Sequence, residues 1–412
     1  MIQINNFSLS NKAVFELVKI GIGTSRNDFD FSKLTDDDWK YVFNECKLHS
    51  IALLCFDAIA TLKNYIPKDI YTEWFKLAIA LTTKSQRSLE SQNRLVNMLE
   101  TNDIPYIILK GFASAYYYPN YEKRSFGDVD FLISINDWDK AQQFFLKNGY
   151  SMDLEHHSYH TSFRNNNDYF EMHKQIAGVP VNEYGDPIRE YLVGAVERYV
   201  ELDSPKFRKP TDSLHAVILA LHTLHHLLSK GIGLRHLCDW ACFVNKTYDD
   251  SFWTDELLNV FNKFGIFNFV QTLTYTVVKY LGVQKPLWLT KCSDDLADEL
   301  MMMFVNNGNF GRKKPKKEIS SFMFSKSESK LTPTTKILNM IKALNNSNET
   351  MYPILKKYKI LYPFIMLIRI TKYMILRFKG ERPSLVDASR RADYVNELYI
   401  KYELYKVEEE KE

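Results

Sequence analysis

Cysteine is scarce in this sequence: Cys46, Cys55, Cys238, Cys242 and Cys292 form no CxxC pair. A count this low and odd is a poor disulfide framework, so a reducing, cytoplasmic setting is expected. Neither sign of charge prevails, because 53 basic residues face 50 acidic ones for a net charge of +3. That balance gives no argument for a nucleic-acid partner. Long apolar runs are also missing. The longest near the C-terminus, Ile360 to Ile368, contains Pro363 and is too short to span a bilayer, so no transmembrane helix is expected. The opening MIQINNFSLSNK has no basic start followed by an apolar stretch and a small-residue cleavage site, so no secretory signal is expected. What remains is ordinary globular usage, 45% hydrophobic and 25% charged, in a chain of 412 residues. A chain that long should divide into two or three units.

The patterning divides it further. Residues 1–102 read as a helical N-terminal region, with Thr35 and Asp38 in capping-box spacing before Trp39, Val42, Phe43 and Cys46. Turn residues Asn102-Asp103 precede a change of period. Ile104 to Leu109 then reads as a buried strand, ended by Lys110-Gly111 before a short helix around Ala113 to Tyr118. FGDVDFLIS forms a second strand, Trp138 to Asn148 a helix closed by Gly149, and Ser158 to Lys174 a hairpin around Asn165 to Asp168. Residues 103–210 are thus an α/β core. Residues 211–310 are helical, with a turn at Gly231-Ile232-Gly233. A basic linker, 311–331, leads to a C-terminal helical region, 332–412, and no internal repeat is present.

Within the second strand, Asp128 and Asp130 stand at i and i+2, which points both carboxylates to one face, roughly 6.5 to 7 Å apart along the chain. Nucleotidyl transfer needs hard oxygen ligands for Mg²⁺, with two ions about 3.5 to 4 Å apart holding the attacking and leaving oxygens. A lone D-x-D is weak evidence, since two aspartates on a half-exposed strand are usually just solvated. Glu171 offers a third acid, because Phe170 and Met172 should face the core while Tyr169, Glu171 and His173 share the other side. Arg124 could grip phosphate bidentately and Lys110 as a point charge, whereas a surface ion pair of Arg124 with Asp128 or Glu122 is the plainer alternative.

The ordered set Leu109-Lys110-Gly111, Arg124, Gly127-Asp128-Val129-Asp130 and Phe170-Glu171-Met172-His173 resembles the DNA-polymerase-beta-like nucleotidyltransferase superfamily, in particular its bacterial branch of uncharacterised nucleotidyltransferases. The likeness covers roughly Ile104 to Val244. It implies an α+β fold, a mixed sheet with flanking helices followed by helical regions. It further implies metal binding by Asp128, Asp130 and Glu171, which are also the catalytic residues. Nucleotide contacts would fall on Lys110, Gly111, Ser114, Arg124, Gly127, His222 and Arg235. Two departures stand out: Gly111-Phe112 replaces the usual Gly-Ser, for which Ser114 is a substitute, and the insertion before Asp128 is long.

His215, His222 and His226 fall on nearly one helical stripe, with His225 beside it. They could line the nucleotide cleft, but a helix-helix contact is the plainer reading. Zinc is disfavoured because no HExxH is present and no nearby cysteine or acid completes a site. Arg235 and Asp239 have the spacing of a helix-stabilising pair. His156, His157 and His160 receive no role. Arg312 to Lys317 reads first as a solvated linker. Tyr352 to Phe378 mixes apolar residues with Lys356, Lys357, Lys359, Arg369, Lys372 and Arg377, as interfacial helices do. A basic-rimmed core helix has the same composition and ranks first, with Leu361, Phe364, Ile365, Ile368 and Met374 expected inside.

The sequence therefore points to an enzyme that transfers a nucleoside monophosphate from an NTP, by default ATP, to an unidentified acceptor, using Mg²⁺ or Mn²⁺. A kinase is disfavoured, since a Gly-rich loop with H-R-D and D-F-G elements is missing. A degenerate fold serving as a binding or assembly module is the remaining alternative. Peripheral membrane contact through the C-terminal basic helices is a further expectation, and oligomeric state is unspecified.

Overall fold

The computed structural model describes residues 7–153, 159–180, 182–229, 231–248, 251, 253, 255–309, 313, 332, 334, 352, 354–378 and 385–406. His156, His157 and all of the basic linker except Lys313 lie outside these residues, so the readings made there have no structural counterpart.

Four helices come first: α1 (Leu9–Ile22), α2 (Asp36–Leu48), α3 (Phe56–Thr61) and α4 (Lys68–Thr101). The expected capping box starts α2, with the Thr35 side chain accepting from the Asp38 amide and Asp38 returning the bond to the Thr35 amide. The 34-residue α4 leads directly into the sheet. Its Arg94 and Ser91 both donate to buried Asp168, at 2.6 and 2.7 Å, which fastens the helix to a hairpin far along the chain.

The sheet follows: β1 (Tyr106–Ile108), α5 (Phe112–Ala115), β2 (Val129–Ile133), α6 (Trp138–Lys147), β3 (Ser151–Met152), β4 (His160–Arg164) and β5 (Tyr169–His173). Its order is β1-β2-β5-β4-β3, with β2 and β5 parallel and the other pairs antiparallel. Side-chain alternation separates two layers. Ile108, Val129, Phe131, Ile133, Phe163, Phe170 and Met172 pack on one face with α4 and α6. Ile107, Leu109 and Leu132 pack on the other with Leu214 and Ile218. Asp130 shares this second face, so the polar ends of β2 and β5 open toward the helices that follow.

After α7 (Asp186–Tyr191), the hairpin of β6 (Tyr199–Asp203) and β7 (Lys206–Pro210) was not foreseen. Its first strand is largely exposed and lacks the apolar alternation that marks a half-buried strand. Then come α8 (Asp212–Leu228), α9 (Leu234–Thr247), α10 (Asp255–Lys263), α11 (Phe267–Leu281) and α12 (Asp294–Asn307). The turn between α8 and α9 falls where the glycines predicted it. The largest core joins α1 to α4 with α8 to α12, through Trp39, Trp74, Leu224, Trp240, Phe269 and Phe304 among others. The helices before and after the sheet thus form one body, with α8 as its seam to the sheet.

The chain ends in α13 (Ile354–Lys357), α14 (Tyr362–Phe378) and α15 (Leu385–Lys401). Val395 and Leu398 of α15 enter the main core. The core-helix reading of α14 is overturned: none of its residues is buried. Phe364, Ile368 and Met374 are exposed, Phe364 by 66%, while Leu361 and Ile365 are half-buried. Composition fixed the amphipathic pattern but not whether protein would cover it.

Candidate active site

The end of β1 brings Lys110 beside β2, where the Leu109 amide donates to the Asp130 carbonyl at 3.0 Å. Gly111 follows with φ +64°, a backbone region that disfavours side chains, and no atom lies within 4 Å of where a Cβ would project. A tight turn with an open outer face is the result. Phe112 stacks on Phe126 with ring centroids 3.9 Å apart, and both rings are buried. The Gly-Phe departure thus has a packing cause, because Phe112 anchors this turn to the core.

Parallel pairing sets Asp130 opposite Glu171 and Leu132 opposite His173. Neighbouring strands lie about 4.8 Å apart, so the two carboxylates are side by side. Asp128, just ahead of β2, is near enough for Asp130 and Glu171 to raise its carboxyl, although it stands outside the close group of Asp130, Glu171 and His173. Oδ1 of Asp130 receives Lys110 Nζ at 2.9 Å and His173 Nε2 at 3.0 Å, and His173 Nε2 is also 3.7 Å from Glu171. A lysine ammonium and an imidazole nitrogen therefore converge on one oxygen. The ligand atoms of Asp130, Glu171 and His173 all lie within 4.8 Å of one another, a donor set of two hard oxygens and one imidazole that fits a divalent cation.

The electrostatics follow from this crowding. Loss of hydration, then the charges of Asp130 and Glu171, push the Asp128 carboxyl up to about 7, although part of its surface stays open to solvent. Burial opposes ionisation of Asp130, but Lys110 and His173 outweigh it and hold that carboxyl far below the usual range. Glu171 is held down against burial chiefly by His173. Lys110 and His173 are each raised, as the acids overcome the cost of burying a cation. Asp128, the most exposed of the three acids, is thus the one whose ionisation the others oppose.

Other nucleotide-binding candidates separate into those that meet this cluster and those that do not. His222 meets it, since Lys110 Nζ lies 3.3 Å from its Nε2. Gly127 is exposed next to Asp128, and its carbonyl accepts from Ser88. Ser114 does not, because its hydroxyl is buried 3.5 Å from His215 Nε2. Arg124 is buried and grips Asp239 bidentately at 2.7 and 2.8 Å, with Tyr118 donating to the same carboxylate at 2.8 Å. That corrects both readings of Arg124, as a phosphate grip and as a surface ion pair: its fork is spent on joining the β1–β2 connection to α9. Asp239, expected to pair with Arg235 along α9, takes both hydrogen bonds of the Arg124 fork, and the charge of Arg235 one turn away also lowers its carboxyl. Arg235 is half-buried, and its charge is opposed by loss of hydration and by Arg124.

Sequence reasoning passed over His173 and His236. His173 already shared the face of Glu171 by alternation, which was the available signal. His236 comes from α9 to meet His222 and His226 of α8, and nothing in the spacing within one helix could bring it there. Two surface hollows of about 350 and 290 Å³ lie elsewhere, one beside Glu100 and Arg208 and one beside Phe7 and Lys279, and neither is lined by an acid of the cluster.

Residues 35–282 match the family model described as "Uncharacterised nucleotidyltransferase". Among curated proteins, none matches the chain.

Proposed function

The chain belongs to the uncharacterised nucleotidyltransferase family, and from that premise we propose that it transfers a nucleoside monophosphate from an NTP, by default ATP, to an acceptor hydroxyl. The bond from acceptor oxygen to the α-phosphorus forms, the bond to pyrophosphate breaks, and the acceptor proton passes to a base. The observation that carries the proposal is the side-by-side placement of Asp130 and Glu171 across a parallel strand pair, with Asp128 ahead of them. Asp128, Asp130 and Glu171 would hold Mg²⁺ or Mn²⁺, with His173 beside them; such a cation, when bound, neutralises charge on the phosphate oxygens. Lys110, now on Asp130, is within reach of incoming phosphate, and the open Gly111 turn lets the backbone approach it. Glu171 or Asp128 takes the acceptor proton; a carboxyl near neutrality suits that exchange. The reaction is assigned to the cytoplasm, supported by five free thiols, of which Cys46 and Cys55 lie 4.0 Å apart without a bond.

The alternative, a degenerate fold that binds without transferring, draws support from the burial of Phe112 where a hydroxyl is usual. Incubating the chain with each labelled NTP, Mn²⁺ and a metabolite pool separates the two. Nucleotidylated products in the mass spectrum support transfer, and metal-dependent nucleotide binding without product supports the alternative.

A further inference from the structure

We propose a second metal site, distinct from the acids, in which His222 and His226 of α8 and His236 of α9 bind a transition-metal ion such as Zn²⁺. One ligand nitrogen from each lies within 4.8 Å of the others. Nε2 of His222 and Nε2 of His226 are 3.0 Å apart. Two nitrogens on a tetrahedral zinc, each about 2.0 to 2.1 Å from the metal, stand about 3.4 Å apart, so a small opening of the pair admits the ion. The i, i+4 spacing puts two ligands on one helical face, and packing of α9 on α8 supplies the third. Three imidazoles without a carboxylate favour zinc over magnesium. Burial holds all three neutral, which is the form that ligates. Lys110 Nζ lies 3.3 Å from His222 Nε2, so an ion bound at that nitrogen displaces the contact and leaves Lys110 to Asp130 and substrate.

The inference stands apart from the acidic site, and the test keeps the two separate. Zinc is titrated into the full chain carrying Asp130→Asn and Glu171→Gln, with a chelator as competitor and X-ray absorption as readout. One retained equivalent with three imidazole nitrogens at about 2.0 Å is expected. Adding His226→Gln or His236→Gln should weaken it more than the roughly 100-fold caused by changes around a ligand. Should those variants not fold, the zinc shell of the wild-type chain decides by its imidazole count. Loss of all zinc with the acids, or a shell with fewer than two imidazoles, overturns the site.

A separate surface carries a second, independent inference: we infer that α14 docks on an anionic lipid surface. Phe364, Leu367, Ile368, Met374, Ile375 and Phe378 are all exposed and spaced to form one stripe along α14. Arg369, Lys372 and Arg377 lie off that stripe. Residues 351–380 carry seven basic side chains and no acid, so charge selects an anionic surface over a neutral or basic one. At 17 residues the helix is too short to cross, and among the described residues no helix is long and apolar enough to do so. An apolar stripe with basic flanks is the form that lies in an interface.

Flotation of the full chain tests this with vesicles of phosphatidylglycerol and phosphatidylcholine against phosphatidylcholine alone. Recovery with the anionic vesicles only, abolished by Phe364→Glu with Ile368→Glu, is expected; both positions are exposed, so the fold should tolerate the change. No flotation, flotation unaffected by the variant, or a dimer that the variant converts to monomer overturns it, the last by making a second copy the occupant.

Discussion

Lys110 Nζ stands 2.9 Å from Oδ1 of Asp130, so a lysine from the turn after β1 occupies the acid most enclosed by the site. His173 shares that oxygen at 3.0 Å. The two aspartates of the D-x-D therefore differ in role: Asp130 is neutralised from within, whereas Asp128 faces other carboxylates. Each change has its own expected sign.

Asp130→Asn should abolish transfer and also destabilise the chain, because it removes the charge that accommodates Lys110 and His173. Breaking a buried ion pair typically costs about 3–5 kcal/mol, and the partial exposure of Lys110 puts the loss near the lower end, about 3 kcal/mol. Urea unfolding checks it. Unchanged stability with full turnover would remove Asp130 from the site.

Asp128→Asn should likewise abolish transfer, yet raise the melting temperature of the metal-free chain. In the unfolded chain this carboxyl ionises near 3.8, and in the folded one only near 7. Between those values the folded state holds the extra proton, so this group's contribution to stability falls as pH rises through the window. The melting-temperature gain of the variant over wild type should therefore grow from pH 4 and level off above 7. Its amplitude is modest, because Asp128 keeps surface in water. A gain that does not vary with pH would contradict the crowding of the three acids.

Glu171→Gln should leave the fold intact and lower kcat by about 100-fold or more, with a weaker dependence on Mn²⁺ concentration. A Mn²⁺ titration of wild type and variant, followed by water-proton relaxation, measures the metal directly. Equal affinity in the two chains would take Glu171 out of the ligand set.

The acid cluster was legible because strand alternation and parallel register act on neighbouring residues: Val129, Phe131, Phe170 and Met172 commit one face to the core and so turn Asp130, Glu171 and His173 to the other. The pairing of Arg124 with Asp239 was not legible, since 115 positions separate them and Arg235 sits at ideal helical spacing from the same carboxylate. The same holds for His236 with His222 and His226, which meet only through packing of α9 on α8. For α14, periodicity gave the stripe, but covering a stripe is a property of its neighbours, and Phe364 and Phe378 lie open.

Arg124→Lys provides a test of that long-range pair. Lysine keeps the charge but cannot make two parallel hydrogen bonds to Asp239, so stability should fall by about 2–4 kcal/mol. The KM for NTP of the folded protein should not change. A raised KM with unchanged stability would return Arg124 to the phosphate.

Phe112→Ser restores the usual Gly-Ser pair and asks whether the departure disables the enzyme. The Phe112 ring is buried and stacked on Phe126, so replacing it empties a ring-sized space and puts a hydroxyl in an apolar layer. Truncating a buried Phe costs about 3–5 kcal/mol, and an unpaired hydroxyl adds to that. Because the side chain at 112 points into the core and not toward Asp128, the new hydroxyl has no path to phosphate while the turn keeps its shape. Stability should therefore drop with no rise in kcat/KM, read by thermal melts alongside NTP turnover. A variant that gains turnover despite losing stability would mean that the turn can reverse its side chains, and that Phe112 suppresses phosphate binding besides anchoring the turn.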